Sequence, residues 1–230
     1  MKEFLTGSLF FGVVLTLIAY EIGLLVKKKF KLAILNPLLV AVIIIIGVLL
    51  LLDINYETYA EGAQYISYFL TPATVSLAIP LYRQLHLLKK YPVAILGGIT
   101  AGVLTTMVTI FVMSLAFGLN HQQYVTLLPK SITTAIGMGV SEKMGGIVSL
   151  TVVAISVTGI TGNVMAETVL KLFKITDPIA KGLAIGTSSH ALGTTKAMEI
   201  GEIEGAMSSL SIVVAGILTV LAVSVFGKLI

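Results

Sequence analysis

Apolar segments long enough to cross a membrane fill almost the whole of this 230-residue chain. A transmembrane helix needs about 20 apolar residues, and runs of that order recur along the sequence. Only 11% of the residues are charged, whereas a soluble domain carries about 25%. The sequence therefore predicts an all-α polytopic membrane protein, a single transmembrane domain over residues 1–230, with no room for a sizeable soluble domain.

The composition also excludes several kinds of chemistry. The chain has no cysteine, so it offers no disulfide, thiolate metal ligand or cysteine nucleophile. It has no H-E-x-x-H metal motif and no G-x-S-x-G elbow. Ser188 and Ser189 adjoin His190, but neighbours in sequence do not readily form a nucleophile–base pair. We therefore expect no enzyme activity, no metal site and no cofactor. The clustered charges indicate membrane topology, and no nucleic-acid binding is expected.

The most informative polar segment lies within residues 182–206, where a membrane-spanning helix would be expected. Its centre, from Gly186 to Lys196, reads G-T-S-S-H-A-L-G-T-T-K. Unpaired backbone groups in hydrocarbon cost several kcal/mol each, so such a segment must be buried in protein or line a wet cavity. Glycine-interrupted, hydroxyl-rich segments at membrane depth are typical of broken helices at transport sites. The alternative is an extramembrane loop between two helices.

A second interruption is predicted in the apolar run at residues 65–88. Pro72 and Pro80 lie inside this run, and each removes a backbone donor, so the helix should kink or break there. Thr71 and Thr74 flank the first proline.

Residues 129–146 form a third unusual segment, too short and too polar to cross a membrane comfortably.

Earlier in the chain, Asn36 and Pro37 predict a helix start, because asparagine can cap a helix and proline is tolerated in its first turn.

The positions of the charges predict the topology. Loops rich in lysine and arginine should be cytoplasmic, and the acidic loops should then lie outside. The basic loops are residues 27–31, 83–90, 171–181 and the C-terminus, and the acidic ones are residues 53–61 and 199–204. This pattern predicts about seven transmembrane helices, an outside N-terminus, a cytoplasmic C-terminus, and a re-entrant element at residues 129–146. If that element crosses instead, there are eight helices.

The predicted spans form two triplets of opposite orientation, and the middle helix of each is interrupted. The first triplet covers about residues 36–52, 65–88 and 92–118, and the second about residues 147–173, 182–206 and 207–226. Inverted 3+3 repeats with paired broken helices are a recurrent plan of secondary transporters. The residues assigned to helix breaks are Asn36, Pro37, Pro72, Pro80, Gly186 and Gly193.

The hydroxyls and cations near these interruptions form the candidate substrate-binding set. Half-helix N-termini attract anions, and a lysine adds a point charge for a carboxylate, so this set favours a small organic anion. Each residue also has a structural explanation: lysines can snorkel to the interface, a histidine can donate to a carbonyl, and threonines can bond helix carbonyls. The set is Lys130, Ser131, Thr133, Thr134, Ser189, His190, Thr194, Thr195, Lys196, Thr71 and Thr74.

Four blocks of sequence resemble the LrgB/CidB family, in the right order and over almost the full length. They are NPLLVA (36–41), PATVSLAIPLY (72–82), LLPKSITTAIGMGVSEKMGG (127–146) and AKGLAIGTSSHALGTTKAMEIGEIEGAMSSL (180–210). The resemblance implies a bacterial inner-membrane protein, described as antiholin-like and named for control of murein hydrolase activity and autolysis. It also implies a small LrgA/CidA-like, holin-like membrane partner. Related proteins are linked to pyruvate uptake, and a plant chloroplast relative moves glycolate and glycerate.

Two functions are therefore expected as alternatives. The first is transport, or facilitated passage, of a small monocarboxylate of the pyruvate or glycolate type, linked to autolysis control. The second is a non-transporting, antiholin-like regulator that modulates a holin-like partner. Under either function we expect the protein to form a homo-oligomer, a dimer.

Overall fold

The computed structural model describes residues 8, 10–30, 35–69, 72, 75–76, 78–83 and 85–230. Two of the predicted site residues, Thr71 and Thr74, lie outside the described residues. The chain divides into two compact units, residues 1–76 and 77–230, and each is described by itself.

The first unit contains helices α1 (Phe11–Phe30), α2 (Pro37–Leu51) and α3 (Tyr56–Ser67). The predicted helix start at Pro37 is confirmed: the Asn36 side chain accepts hydrogen bonds from the amides of Leu38 (2.8 Å) and Leu39 (3.4 Å). Helix α3, however, occupies most of a segment that the sequence predicts as an acidic loop. The side chain of Asn55 caps this helix by accepting a hydrogen bond from the amide of Thr58. The charge pattern alone does not reveal this helix start, because it treats the acidic residues only as loop residues.

The second unit contains eight described helices. They are α4 (Ala78–Arg83), α5 (Leu85–Lys90), α6 (Pro92–Ala116), α7 (His121–Leu127), α8 (Thr134–Lys143), α9 (Val148–Leu172), α10 (Pro178–Ile200) and α11 (Glu202–Phe226). Of the helices that the structure describes, α6, α9 and α11 are long and apolar enough to cross a membrane. At 1.5 Å per residue each is about 37 Å long, more than the roughly 30 Å hydrocarbon core requires. All three coincide with predicted spans. The expectation of an all-α membrane protein, which rests on composition and apolar runs, is therefore confirmed, whereas the number of spans is a separate question.

Helix α10 does not cross beside them but folds back on itself. A Cβ added at Gly182, near its start, would lie 2.5 Å from the carbonyl oxygen of Glu204 on α11. A Cβ added at Gly205, the next residue of α11, would lie 2.8 Å from Cγ of Met198, near the end of α10. Both ends of α10 therefore lie against the same turn of α11, so α10 is a hairpin with two arms, residues 178–189 and 191–200.

The reversal occurs at His190. Its backbone has φ 43° and ψ −138°, a conformation close to the first central position of a type II′ turn, where glycine dominates. The reversal lies inside the interruption predicted at residues 186–196. The breaks assigned to Gly186 and Gly193 are corrected, because both glycines lie inside helical arms. Their small size serves packing: Gly186 contacts Ser208 of α11, and a Cβ at Gly193 would lie 2.6 Å from Cβ of Ser189 on the other arm.

The hairpin changes the topology of everything that follows it. We call the end where α9 finishes and α11 begins the lysine end, because Lys171, Lys174 and Lys181 lie there. Lys181 approaches Glu204 to 3.9 Å, so residues 171–181 and 199–204 lie at one end of the unit and not on opposite faces, as the charge pattern predicts. The charge rule assigns each loop separately and cannot detect a segment that turns back.

Helix α11 then carries the chain to the opposite end, which we call the C-terminal end. The Tyr124 hydroxyl of α7 donates to the carbonyl oxygen of Phe226 at 2.9 Å, and the ring of His121 lies 2.6 Å from the carbonyl oxygen of Ile230. The C-terminus and residues 171–181 therefore lie at opposite ends, which corrects the prediction that both are cytoplasmic. The predicted arrangement of seven spans in inverted triplets is not confirmed.

Helices α7 and α8 form a second hairpin, which enters from the C-terminal end. Helix α7 begins beside the C-terminus, and Met144, just after α8, contacts Gly227. The amide of Ile147 donates to Oγ1 of Thr126 at 2.8 Å, so the chain leaves this hairpin next to where it entered. This path agrees with the predicted re-entrant element at residues 129–146.

Candidate functional site

The tips of the two hairpins approach each other along α9. Lys130 lies in the tip between α7 and α8. An added Cβ at Gly137, on α8, would meet Cδ1 of Ile155 on α9 and would lie 3.5 Å from the carbonyl oxygen of Pro129. Nε2 of His190 lies 3.0 Å from the carbonyl oxygen of Ile155, which fixes the level of the tip on α9. The two tips, which hold residues far apart in sequence, therefore both lie near Ile155 in the interior of the unit.

Lys130 carries a charge without a counterion in the described part of the chain. Its ammonium donates to Oγ of Ser131 at 3.2 Å, and no described carboxylate lies within 4 Å of it. The side chain is half-buried, and Ser131 is buried beside it. An unpaired cation in such a position favours a bound anion.

Thr133 and Thr134 belong to the start of α8, at the same tip. Thr133 is the N-cap residue, but its side chain makes no capping hydrogen bond, and both threonines are half-buried. Since the first amides of a helix have no partner within the helix, this helix start presents donors at the tip.

The tip of α10 is pressed against α9 at two glycines. A Cβ at Gly159 would lie 2.7 Å from Cε1 of His190, and Gly162 directly faces the side chain of Ser189. Ser189 and His190 are both buried. The positive φ of a histidine at this point is strained, and strain of this kind costs about 1–3 kcal/mol and clusters at functional sites.

Two of the predicted threonines already have partners in the protein. Oγ1 of Thr194 donates to the carbonyl oxygen of His190 at 2.9 Å and lies 2.7 Å from Oγ of Ser208. Oγ1 of Thr195 donates to the carbonyl oxygen of Leu192 at 2.8 Å and accepts from Nδ2 of Asn163 at 3.0 Å. These bonds hold the second arm of α10 against α9 and α11.

Lys196 lies apart from Lys130, on the part of the second arm that approaches the lysine end. Its ammonium is 2.6 Å from Glu167 and 3.1 Å from Glu199, so its charge is compensated by two carboxylates. Glu167 also pairs with Lys171 at 3.2 Å. The structure thus separates the two lysines that the sequence groups together.

The first predicted break contributes little that can be described. Pro72 is exposed, Pro80 lies within the backbone of α4, and α3 ends at Ser67 before α4 begins.

Asn163 is a site residue that the sequence reasoning did not assign. Its Nδ2 donates to the carbonyl oxygen of Leu192 at 2.7 Å, directly after the reversal of α10. The sequence feature that could have identified Asn163 is a polar side chain after Gly159 and Gly162 in an otherwise apolar span. The sequence does not indicate its partner, Leu192, which lies 29 residues away.

Comparison with known proteins gives one family over nearly the whole chain. The model of the LrgB-like family matches residues 16–229. Antiholin-like protein LrgB of Bacillus cereus (strain B4264) is 40% identical over 222 residues, which is 96% of each chain. The protein of the same name from Bacillus anthracis (strain CDC 684 / NRRL 3495) gives the same values. No solved structure matches. With its apolar helices and this match, the chain is a multi-pass membrane protein that belongs to the LrgB-like family.

Proposed function

We propose that this protein moves a small monocarboxylate, of the pyruvate or glycolate type, across the bacterial inner membrane. The observation that carries the proposal is Lys130, a half-buried cation with no described counterion, at a hairpin tip that packs near Ile155, where the second hairpin tip also lies. A charge removed from water is costly unless it is paired, so a site of this kind favours an anionic ligand.

The backbone around Lys130 supports the same ligand. Helix α8 starts at the tip that holds Lys130, and the second arm of α10 starts at the opposite tip, after His190. Both helix starts direct their positive ends toward the interior, an arrangement that transporters use to hold substrate carboxylates. Ser131 and Thr133 add hydroxyl donors beside the lysine.

Hairpins entering from opposite ends also suit alternating access. Non-helical backbone at membrane depth is tolerated where it is buried in protein or lines a water-filled cavity. The reversal at His190 meets this condition because the residue is 4% exposed and packed on α9.

The names of the relatives add a physiological role. Their description as antiholin-like proteins supports a function in the control of murein hydrolase activity and autolysis, exercised with a small LrgA/CidA-like membrane partner. The same names favour the second candidate, a non-transporting regulator of that partner. The two candidates differ in one property, since only a transporter needs a free cation inside the membrane region.

The test is uptake of labelled pyruvate into proteoliposomes, with and without the partner. Lys130→Ala should weaken the apparent affinity at least tenfold, because loss of a charge that contacts a buried anion costs on the order of 2–5 kcal/mol. Lys130→Arg should retain more affinity, since it keeps the charge. Lys143→Ala, an exposed lysine on α8, is the matched control and should be neutral. Equal affinity for Lys130→Ala and wild type, or no uptake by wild type, would leave the regulator as the better explanation.

A further inference from the structure

A groove of about 810 Å³ lies between α6 and the first arm of α10. It begins at Tyr91 and Asp177, at the lysine end, and reaches inward to Thr106 and Ser188. The positions from Tyr91 to Thr106 span about 22 Å at a rise of 1.5 Å per residue. The groove therefore runs from one end of the unit to the middle of α6.

The inner end of the groove contains a hydroxyl without a partner. Thr187 is 6% exposed and lines the groove, and its Oγ1, which is itself buried, has no hydrogen-bond partner among the residues that the structure describes. Buried polar atoms in folded proteins are nearly always paired, and an unpaired one calls for an explanation such as a ligand. Gly102 of α6 packs closely on Thr187, because a Cβ there would lie 2.6 Å from Cγ2 of the threonine.

The inner end is continuous with the hairpin tips. Oγ of Ser188, which lines the groove, lies 3.0 Å from Oγ of Ser189, and Ser189 is the residue before the reversal at His190. At the outer end, the Asp177 carboxylate accepts from the amide of Ala180 at 2.8 Å and caps α10. The Asp177 carboxylate at the outer end thus has a partner in the fold, whereas the Thr187 hydroxyl at the inner end has none among the described residues.

Resting on the proposed transport function, we propose that this groove is the path by which the carboxylate reaches the tips from the lysine end. Rotation about χ1 turns the Thr187 hydroxyl, which has no described partner to lose, into the groove, where it donates a hydrogen bond to the anion. Thr187 is thus a substrate-contacting residue on the first arm of α10, separate from Lys130. A lipid acyl chain is the competing occupant of the outer groove, but it cannot accept the hydrogen bond that Thr187 offers.

The first experiment measures binding of labelled pyruvate to the purified protein. Thr187→Val replaces the hydroxyl with a methyl group and breaks no described hydrogen bond, so stability should be unchanged or higher while affinity falls about tenfold. Thr187→Ser should keep the affinity. Thr100→Val is the control, because Thr100 lies on α6 outside the groove and its hydroxyl bonds the carbonyl oxygen of Leu96 at 2.7 Å. Unchanged affinity in Thr187→Val would overturn the proposal.

The second experiment uses the absence of native cysteines. Ala184→Cys lines the groove, whereas Ala101→Cys is exposed on α6 outside it. A charged methanethiosulfonate should modify position 184 and not position 101, and pyruvate should slow the reaction at 184. Modification of position 184 only by an apolar maleimide, or no protection by pyruvate, would contradict a hydrated path.

These measurements separate the groove from the transport function. Uptake by wild-type protein without protection at position 184 would overturn the groove and leave transport intact. Protection at position 184 and weak binding by Thr187→Val, without uptake by wild type, would support the groove as a carboxylate site and overturn transport.

Discussion

Gly162→Ala should detach the tip of α10 from α9, and the structure gives the size of the effect. The added Cβ would meet Oγ of Ser189, would lie 2.5 Å from its Cβ and would remain 3.7 Å from its Cα. Overpacking of a well-packed contact costs about 1–3 kcal/mol. Replacing glycine by alanine within a helix returns up to about 1 kcal/mol. We expect the free energy of unfolding to fall by a net amount on the order of 1–2 kcal/mol. Pyruvate binding should weaken at the same time.

A matched variant and a second-site rescue isolate the contact. Gly139→Ala is the control, because nothing lies within 4 Å of a Cβ at this exposed position of α8, so it should be neutral or stabilising. Ser189→Gly removes the two atoms that the new methyl group would meet. In the double mutant the clash should vanish, giving an interaction energy in the range of about 0.5–3 kcal/mol for a contacting pair.

The assay is unfolding of the purified protein in detergent, by temperature or by denaturing detergent, for wild type, Gly162→Ala, Ser189→Gly and the double mutant. Pyruvate binding is measured on the same samples. Stability of Gly162→Ala equal to that of Gly139→Ala would refute the packing of the tip on α9. So would additive effects in the double mutant.

Two further predictions concern the groove and the lysine end. Gly102→Ala should lower pyruvate affinity by displacing Thr187, whereas Gly97→Ala, with nothing within 4 Å of the new Cβ, should not; equal affinities in a binding assay would contradict this. Lys196→Ala should destabilise the protein by about 1 kcal/mol or less, because Glu167 is partly exposed and water can replace its partner. It should leave pyruvate affinity within about twofold, so a tenfold loss would place Lys196 at the substrate.

The elements with strong local signals were predictable from the sequence. Pro37 and Pro92 mark helix starts, and long apolar runs predict α6, α9 and α11 close to their observed bounds. In each case the information lies within the segment itself. Hydrophobic length and a proline in the first turn determine where such a helix starts and how far it runs.

The hairpin of α10 was not predictable in the same way. A broken helix that crosses and one that turns back have the same composition, and the two glycines suggested breaks at the wrong positions. The chain reverses at His190, where a type II′-like turn would favour glycine, because packing against Gly159 and Gly162 of α9 stabilises a backbone that is locally unfavourable. Long-range contacts of this kind leave no periodic pattern.

The same limit applies to the candidate site. Lys130 and Lys196 look equivalent in sequence, as lysines beside hydroxyls in polar segments. Only the fold shows that Glu167, 29 positions before Lys196, neutralises one of them, while Lys130 has no described counterion. The chemistry of a lysine in a membrane depends on partners that the local sequence does not identify.

The corrected fold also changes the orientation that the charges predict. The positive-inside rule, applied to this fold, predicts that the lysine end is cytoplasmic. Glu202 and Lys174 should then both be cytoplasmic, and Leu229 and Gln122 should both be external. Single cysteines at these four exposed positions can be labelled from either side of the membrane, since the chain has no other cysteine. Position 202 should react from the same side as position 174, because the first arm of α10 enters from the lysine end and the second arm leads back to it. Labelling of position 202 from the same side as position 122 would require α10 to cross the membrane and would refute the hairpin.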